Sequence, residues 1–260
     1  MSILSVGPLY PEPVLLVEGK SKREDKKFIV AADLHIGAET YGVKNEVNFN
    51  PEILSQNIND RLLRLVKSSN ADGIILLGDL KSNISGITRL ERHSISMVLS
   101  SLSRNTEVYL VPGNHDSFIK YIASDTVNLI SPSGMVVGDT LFIHGHTMPS
   151  TLRSSVSRII MGHVHPVFLK PNNIVSGQRI WVYLKVSKQA VFPASDGLLQ
   201  IVIMPSFYIG TPPIHRHNQR RAVSPIVDRI VKDRAIKEML CLTLDGSIVA
   251  DLSSEDDITL

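Results

Sequence analysis

Apolar residues come in short runs, and several of the runs stop at a carboxylate, an amide or an imidazole. Val14-Leu15-Leu16-Val17 and Phe28-Ile29-Val30-Ala31-Ala32 predict two strands joined by a solvated turn through the charged stretch Lys20 to Lys27. The second run is apolar throughout, as a strand covered on both faces would be, and it leads into Asp33-Leu34-His35. If extended geometry persists there, Asp33 and His35 point the same way. Asn50-Pro51 reads as a helix start, with Leu54, Ile58, Leu62, Leu65 and Val66 following at helical spacing. Ile74 to Leu77 is the next buried strand, ending at Gly78-Asp79. A second amphipathic helix, Ile87 to Leu102, leads to the strand Val108 to Val111. Pro112 and Gly113 then turn the chain sharply and present Asn114, His115 and Asp116 together. This alternation of strand and helix predicts a parallel sheet with right-handed crossovers.

Beyond Asp116 the pattern changes. Met135-Val136-Val137 and Thr140 to Ile143 flank Gly138-Asp139, the signature of a tight hairpin, and the second strand ends in His144-Gly145-His146. Arg158 to Met161 is a short strand ending in Gly162-His163-Val164-His165. Ile180 to Val186, Ala190 to Phe192 and Leu198 to Met204 read as consecutive antiparallel strands of a second sheet. After Thr211-Pro212-Pro213 come a basic loop with His215, Arg216, His217, Arg220 and Arg221, a helix of about ten residues from Ser224-Pro225 judged by its start signals, and a closing hairpin, Leu240 to Leu244 with Ser247 to Ala250. The expected organisation is a main domain over 1–210 and an extension over 211–260 packed on it.

Composition narrows the class only a little. The 260 residues are 43% hydrophobic and 20% charged, which suits a folded globular chain. The net charge of +2 leaves no global basic field for polyanions, so any such contact needs a local patch. The single cysteine, Cys241, has no partner for an internal disulfide and reads as a small buried hydrophobe. The N-terminal twenty residues lack the basic lead of a signal peptide, and no apolar run reaches membrane-spanning length. A cytoplasmic protein away from membranes is the expectation.

Five strand ends thus carry Asp33 and His35, Asp79, Asn114 and His115, His144, and His163 and His165. In a parallel sheet the carboxyl ends of strands face one crevice, so these groups would converge. Mixed oxygen and imidazole donors suit Mn, Fe, Zn, Co or Ni, and their number exceeds what one ion can use, which favours two metals sharing a bridging carboxylate.

The motifs Asp33-Leu34-His35, Gly78-Asp79, Gly113-Asn114-His115-Asp116, His144 and Gly162-His163-Val164-His165, in that order, resemble those of the calcineurin-like metallophosphoesterases. Ala32 to Gly37 and Gly78 to Lys81 further resemble the archaeal phosphoesterases related to the SbcD nuclease subunit. The resemblance implies a four-layer αββα sandwich of two mixed sheets flanked by helices. It implies one metal held by Asp33, His35, Asp79 and His165 and a second by Asp79, Asn114, His144 and His163, with Asp79 bridging and manganese the first choice. His146 is the alternative to His144, being on the same turn. His115 would stay off the metals and serve as the catalytic acid, while two divalent ions activate water and bind the phosphoryl oxygens.

The implied activity is phosphodiester hydrolysis by a nuclease or nucleotide phosphodiesterase. A small-molecule phosphomonoesterase or pyrophosphatase is the alternative within the class, and a non-catalytic interaction scaffold the alternative outside it. Lys81, Asn114, His115 and His146 are candidate substrate contacts; Glu39 and Tyr41 could line the site. Two features depart from the family. Ser82 and Asn83 stand where it often has a third polar group after the bridging Asp, leaving the partner that orients His115 open. Only 95 residues follow His165, few for the DNA-capping domain of SbcD-type nucleases.

Overall fold

The computed structural model describes residues 4–19, 26–38, 51–123, 125–209, 224–251 and 258–259. The first sheet contains β1 (Leu4–Pro8), β2 (Val14–Gly19), β3 (Lys26–Ala32), β4 (Gly73–Leu77), β5 (Glu107–Val111) and β6 (Val127–Leu129), in that order across the sheet. Strands β1 to β3 pair antiparallel and β3 to β6 parallel. The predicted crossovers account for the parallel pairing of β3, β4 and β5, and β6, for which no strand is expected, joins through a loop with a 3-10 helix. Helix α1 (Pro51–Ser69) connects β3 to β4, and α2 (Arg89–Ser103) connects β4 to β5.

The second sheet contains β7 (Met135–Val137), β8 (Thr140–Ile143), β9 (Arg158–Met161), β11 (Ile180–Ser187), β12 (Leu198–Ile203), β13 (Ile236–Thr243) and β14 (Ile248–Asp251), ordered β14-β13-β11-β12-β9-β8-β7. It is mixed, because β9 runs parallel to both β8 and β12 while the other neighbours are antiparallel. A two-residue pairing of β10 (Val167–Phe168) with β15 (Ile258–Thr259) lies beside it.

Strand residues alternate between layers, as the period of two requires. Phe28, Val30, Ala32, Ile75 and Leu77 meet Phe142, Ile160, Trp181 and Val202 between the sheets. Ile29, Ala31, Ile74 and Leu76 face the other way, onto Leu62 and Val66 of α1 and Ile95, Val98, Leu99 and Leu102 of α2. On the far side Leu141, Ile159, Met161 and Ile201 pack with Ile226, Val227 and Ile230 of α3 (Pro225–Lys232). This is the four-layer αββα sandwich. Residues 224–251 build part of the second sheet and its covering helix, through the register of β13 against β11 from Ile180↔Thr243 to Val186↔Ile236.

Several local expectations need correction. Residues Leu4–Pro8, for which no element is expected, form an edge strand paired with β2. Ala190 to Phe192 is not a strand: a 3-10 helix, Lys188–Ala190, occupies the excursion between β11 and β12, which pair directly up to Ser187↔Leu198. Helix α2 begins after Thr88, whose hydroxyl accepts from Glu91 N while the Glu91 carboxylate accepts from Thr88 N, the capping box readable in Thr88-Arg89-Leu90-Glu91. Helix α3 has eight residues, and the Ser224 hydroxyl, instead of capping it, donates to Gly145 O at 2.7 Å. Cys241 is fully buried. No helix among the described residues is long and apolar enough to cross a membrane. Asn50, Glu39, Tyr41 and the basic residues His215, Arg216, His217, Arg220 and Arg221 lie outside the described residues.

Candidate metal centre

Extended geometry does not persist beyond the strand ends. Asp33, His35, Asp79, His163 and His165 all have positive φ, between 45° and 71°. Left-handed backbone is costly for most side chains, but Asp and His tolerate it better than bulky or branched residues. Each turns the chain sharply at a sheet edge while keeping a donor side chain. The loops also pair with each other past the strands: Asp33 N donates to Gly78 O at 3.2 Å, His35 N to Asp79 O at 2.9 Å and Ile36 N to Leu80 O at 2.9 Å. The two loops that carry the first three candidate ligands are therefore fixed together by backbone bonds.

The side chains converge into two adjacent clusters. In the first, His35 Nε2 and His165 Nε2 lie 3.2 Å apart, and His165 Nε2 is 3.3 Å from Asp33 Oδ1. In the second, His144 Nε2 is 3.3 Å from Asp79 Oδ1 and 3.2 Å from Asn114 Oδ1, with His163 completing the group. Asp79 sits between them, also sharing a third group with His35 and His115. Asp33, His35, Asp79 and His144 are buried, and Asn114 is exposed.

The donor chemistry fits two cations. His144 Nδ1 is 2.9 Å from the Leu77 carbonyl, which can only accept, so that nitrogen carries a proton and Nε2 is the atom turned to the cluster, able to act as a donor atom once a cation displaces its own proton. Asp33 accepts from His163 N at 3.0 Å, which seats the last ligand loop against the first. Burial, reinforced by the neighbouring His165, pushes His35 down to about 4; burial and His144 do the same to His163. Both imidazoles are consequently neutral and available as ligands near pH 7. His144 behaves oppositely. Burial opposes its charge, yet the Asp79 carboxylate beside it prevails and raises it to about 9. Burial would raise Asp33 and Asp79, but His165 holds the first carboxyl low and His144 the second.

Two glycines are required by this packing. A Cβ on Gly113 would collide with Asp79 Oδ1 and His144 Nε2, and one on Gly78 would collide with the His144 ring.

The remaining candidates separate clearly. His115 lies at the rim, its Nδ1 2.5 Å from the Ser82 carbonyl and its Nε2 3.7 Å from Asp79 Oδ2. The open question of what orients it is answered by the backbone of Ser82 rather than by a side chain. His146 is half-buried, its ring 5.2 Å from that of His144, and its Nδ1 has no hydrogen-bond partner. Lys81 does not face the cluster. Its side chain is fully buried, and Nζ donates to Asn83 O and, at 2.7 Å, to Gly86 O. Burial lowers its pKa. With Glu91, whose Oε1 accepts from Asn83 N at 2.9 Å, it pins the loop that presents Ser82 O to His115.

Asp116, for which the sequence suggests no role, is buried with three backbone donors: Leu80 N at 2.9 Å, Lys81 N at 3.3 Å and Gly113 N at 2.8 Å. It clamps the Asp79 loop to the Asn114 loop. Burial and the nearby Asp79 raise its pKa. Its place immediately after the Asn-His pair was the only signal available for it.

The family described as calcineurin-like phosphoesterase matches residues 26–167. Among solved structures the chain is similar to the nuclease MPE of Pseudomonas putida, at 16% identity and a TM-score of 0.52, covering 95% of this chain and 100% of that one. It is also similar to Yfce, a phosphoesterase from E. coli, at 15% identity and a TM-score of 0.37, covering 86% of this chain and 97% of that one. No curated protein matches the chain.

Proposed function

This chain belongs to the calcineurin-like phosphoesterase family, and from that premise we propose that it hydrolyses phosphodiester bonds, with a nucleic acid or nucleotide as substrate and two divalent transition-metal ions, manganese first, as cofactors. The observation that carries the reading is that Asp79 groups with His144 and His163 on one side and with His35 on the other, while His35 in turn groups with Asp33 and His165. Asp33, His35, Asp79 and His165 would hold one ion; Asp79, Asn114, His144 and His163 would hold the other. When bound, such a pair lowers the pKa of water and neutralises phosphoryl charge.

The residues around the clusters divide the rest of the work. The Ser82 carbonyl keeps the proton on His115 Nδ1, so Nε2 is the atom turned to the site. As the imidazolium, His115 delivers that second proton to the departing alkoxide, and the same Nε2 then recovers a proton from solvent. The Leu77 carbonyl fixes the tautomer of His144, and Asp116 keeps Asn114 in register with Asp79.

Two observations favour diesters. Lys81, two residues after Asp79, is committed to Asn83 and Gly86, so it brings no ammonium to the second negative charge of a phosphomonoester. The fold is also similar to that of the nuclease MPE of Pseudomonas putida. A manganese-supplemented screen of bis(p-nitrophenyl) phosphate, p-nitrophenyl phosphate, single-stranded DNA, RNA and nucleotides, with metal analysis of the protein, tests the reading. Turnover of diesters over monoesters is expected. Absence of bound metal together with absence of manganese-stimulated turnover overturns it.

A further inference from the structure

Three residues beyond His115 the chain presents a pair of aromatic rings that the hydrolytic site does not use. A 3-10 helix spans Ile119–Tyr121, and in such a helix side chains three apart share a face. Ile119 and Ile122 turn into the core at 4% and 8% exposure. Phe118 and Tyr121 consequently turn outward, at 55% and 65% exposure. Their ring centroids are 6.4 Å apart and their planes are 28° from parallel, with Lys120 Nζ 4.9 Å from the centre of the Tyr121 ring. Phe118 has a φ of 66°, a conformation that bulky side chains rarely adopt and that persists where the surrounding structure imposes it.

The surroundings here are the catalytic loops. Ser117 Oγ donates to Ile84 O at 2.8 Å, fastening the aromatic segment to the 82–86 loop whose Ser82 carbonyl holds His115. The rings are thus held in a fixed relation to the residue proposed to act on the leaving group. Ile84, 57% exposed, adds apolar surface on that neighbouring loop.

We propose that Phe118 and Tyr121 form a stacking platform for a nucleobase, with Lys120 supplying the cation for the adjoining backbone phosphate. The substrate class is then single-stranded nucleic acid, one of whose bases rests on this face while its phosphodiester lies at the metal centre. This deepens the phosphodiesterase reading and rests on it. Exposed near-parallel rings joined to a cation are what single strands need, because every base has a flat face and every linkage a negative charge. A paired duplex, its bases already stacked on each other, has much less to gain there.

The test uses the metal-loaded protein, mixed by stopped flow with a single-stranded oligonucleotide carrying 2-aminopurine, whose fluorescence falls on stacking. Signal and affinity are read before turnover. Wild type should quench the probe. Phe118→Ala and Tyr121→Ala should each lose the quench and weaken binding by on the order of tenfold or more, the worth of one base–aromatic stack. Phe118→Trp should retain both, and Phe118→Leu, which keeps apolar bulk but no ring, should behave like Phe118→Ala.

Equal quench and affinity in wild type and Phe118→Ala overturn the platform. Retention of both by Phe118→Leu also overturns it and assigns the face to apolar contact with protein. Hydrolysis of bis(p-nitrophenyl) phosphate by wild type, measured in parallel, isolates the underlying reading. Diester turnover without quench refutes the platform alone, whereas quench without diester turnover refutes the proposed function and leaves the base-binding face standing.

Discussion

Replacing Lys81 with methionine separates the support of His115 from the metal centre itself. The side chain is fully buried, and its ammonium group bonds two carbonyls of the loop that carries Ser82. Methionine fills a similar volume without either bond. Hydrogen bonds to a charged group contribute about 1.5–3 kcal/mol each, but the burial of the charge opposes them and the freed carbonyls can turn to water; a net loss of about 1–2 kcal/mol in stability is expected. The catalytic effect should be more selective. A freed loop no longer holds Ser82 O at 2.5 Å from His115 Nδ1, which misdirects an acid worth about 10²- to 10⁴-fold. We expect kcat for a dinucleotide, whose alkoxide needs a proton, to fall about 10- to 100-fold. Hydrolysis of bis(p-nitrophenyl) phosphate, whose leaving group departs unprotonated, should change by less than about threefold. Steady-state kinetics on both substrates, with metal stoichiometry and thermal unfolding, decide it. An equal fall for both leaving groups, or loss of bound metal, would refute this account of Lys81.

His115→Ala should keep full metal content while sharply lowering turnover of poor leaving groups; unchanged rates remove it as the acid. Asp79→Ala should deplete both ions together, and retention of both in elemental analysis contradicts the shared ligand. Asp116→Ala strands two buried backbone donors and a third that is partly buried and should cost about 2–4 kcal/mol in denaturant unfolding; a loss below about 0.5 kcal/mol argues against the clamp. The Cys241 thiol is pushed up to about 12 by burial, so it is protonated in the folded protein across the neutral range. Because the folded value is the higher one, the thiol's contribution to stability is complete below the unfolded value of about 8.5 and declines as pH climbs toward 12. Iodoacetamide at pH 8 should label it only after denaturation, and labelling of the native protein would contradict the burial.

The parts of this molecule that obey a period were legible. Phe28 to Ala32 and Ile74 to Leu77 could be assigned because uninterrupted apolar runs of that length have few uses other than a covered strand. The polar side chains that gather at the sheet edges could be singled out because each follows such a run. What the sequence concealed lies in the backbone. Nothing in the letters distinguishes a left-handed Asp33 from an extended one, and no side-chain motif points to the Leu77 and Ser82 carbonyls that orient His144 and His115. Lys81, two residues after Asp79, reads from sequence as a candidate substrate contact, yet its ammonium bonds Asn83 and Gly86, a placement set by tertiary structure. Ala190 to Phe192 shows the same limit: three apolar residues suit a strand, yet buried positions in a 3-10 excursion call for the same composition.

The five left-handed corners at Asp33, His35, Asp79, His163 and His165 put chemistry and folding in opposition. Non-glycine residues held there cost on the order of 1–3 kcal/mol each, a load that the fold bears whether or not a phosphoester is ever cleaved. Glycine would relieve the load at every one of these positions and would abolish the donor at the same time. A descendant of this chain released from its reaction should therefore drift in a recognisable order. The corners would soften to glycine or asparagine first, while the alternating cores on either side of them stay intact, and the loss of activity would be accompanied by a gain in thermal stability.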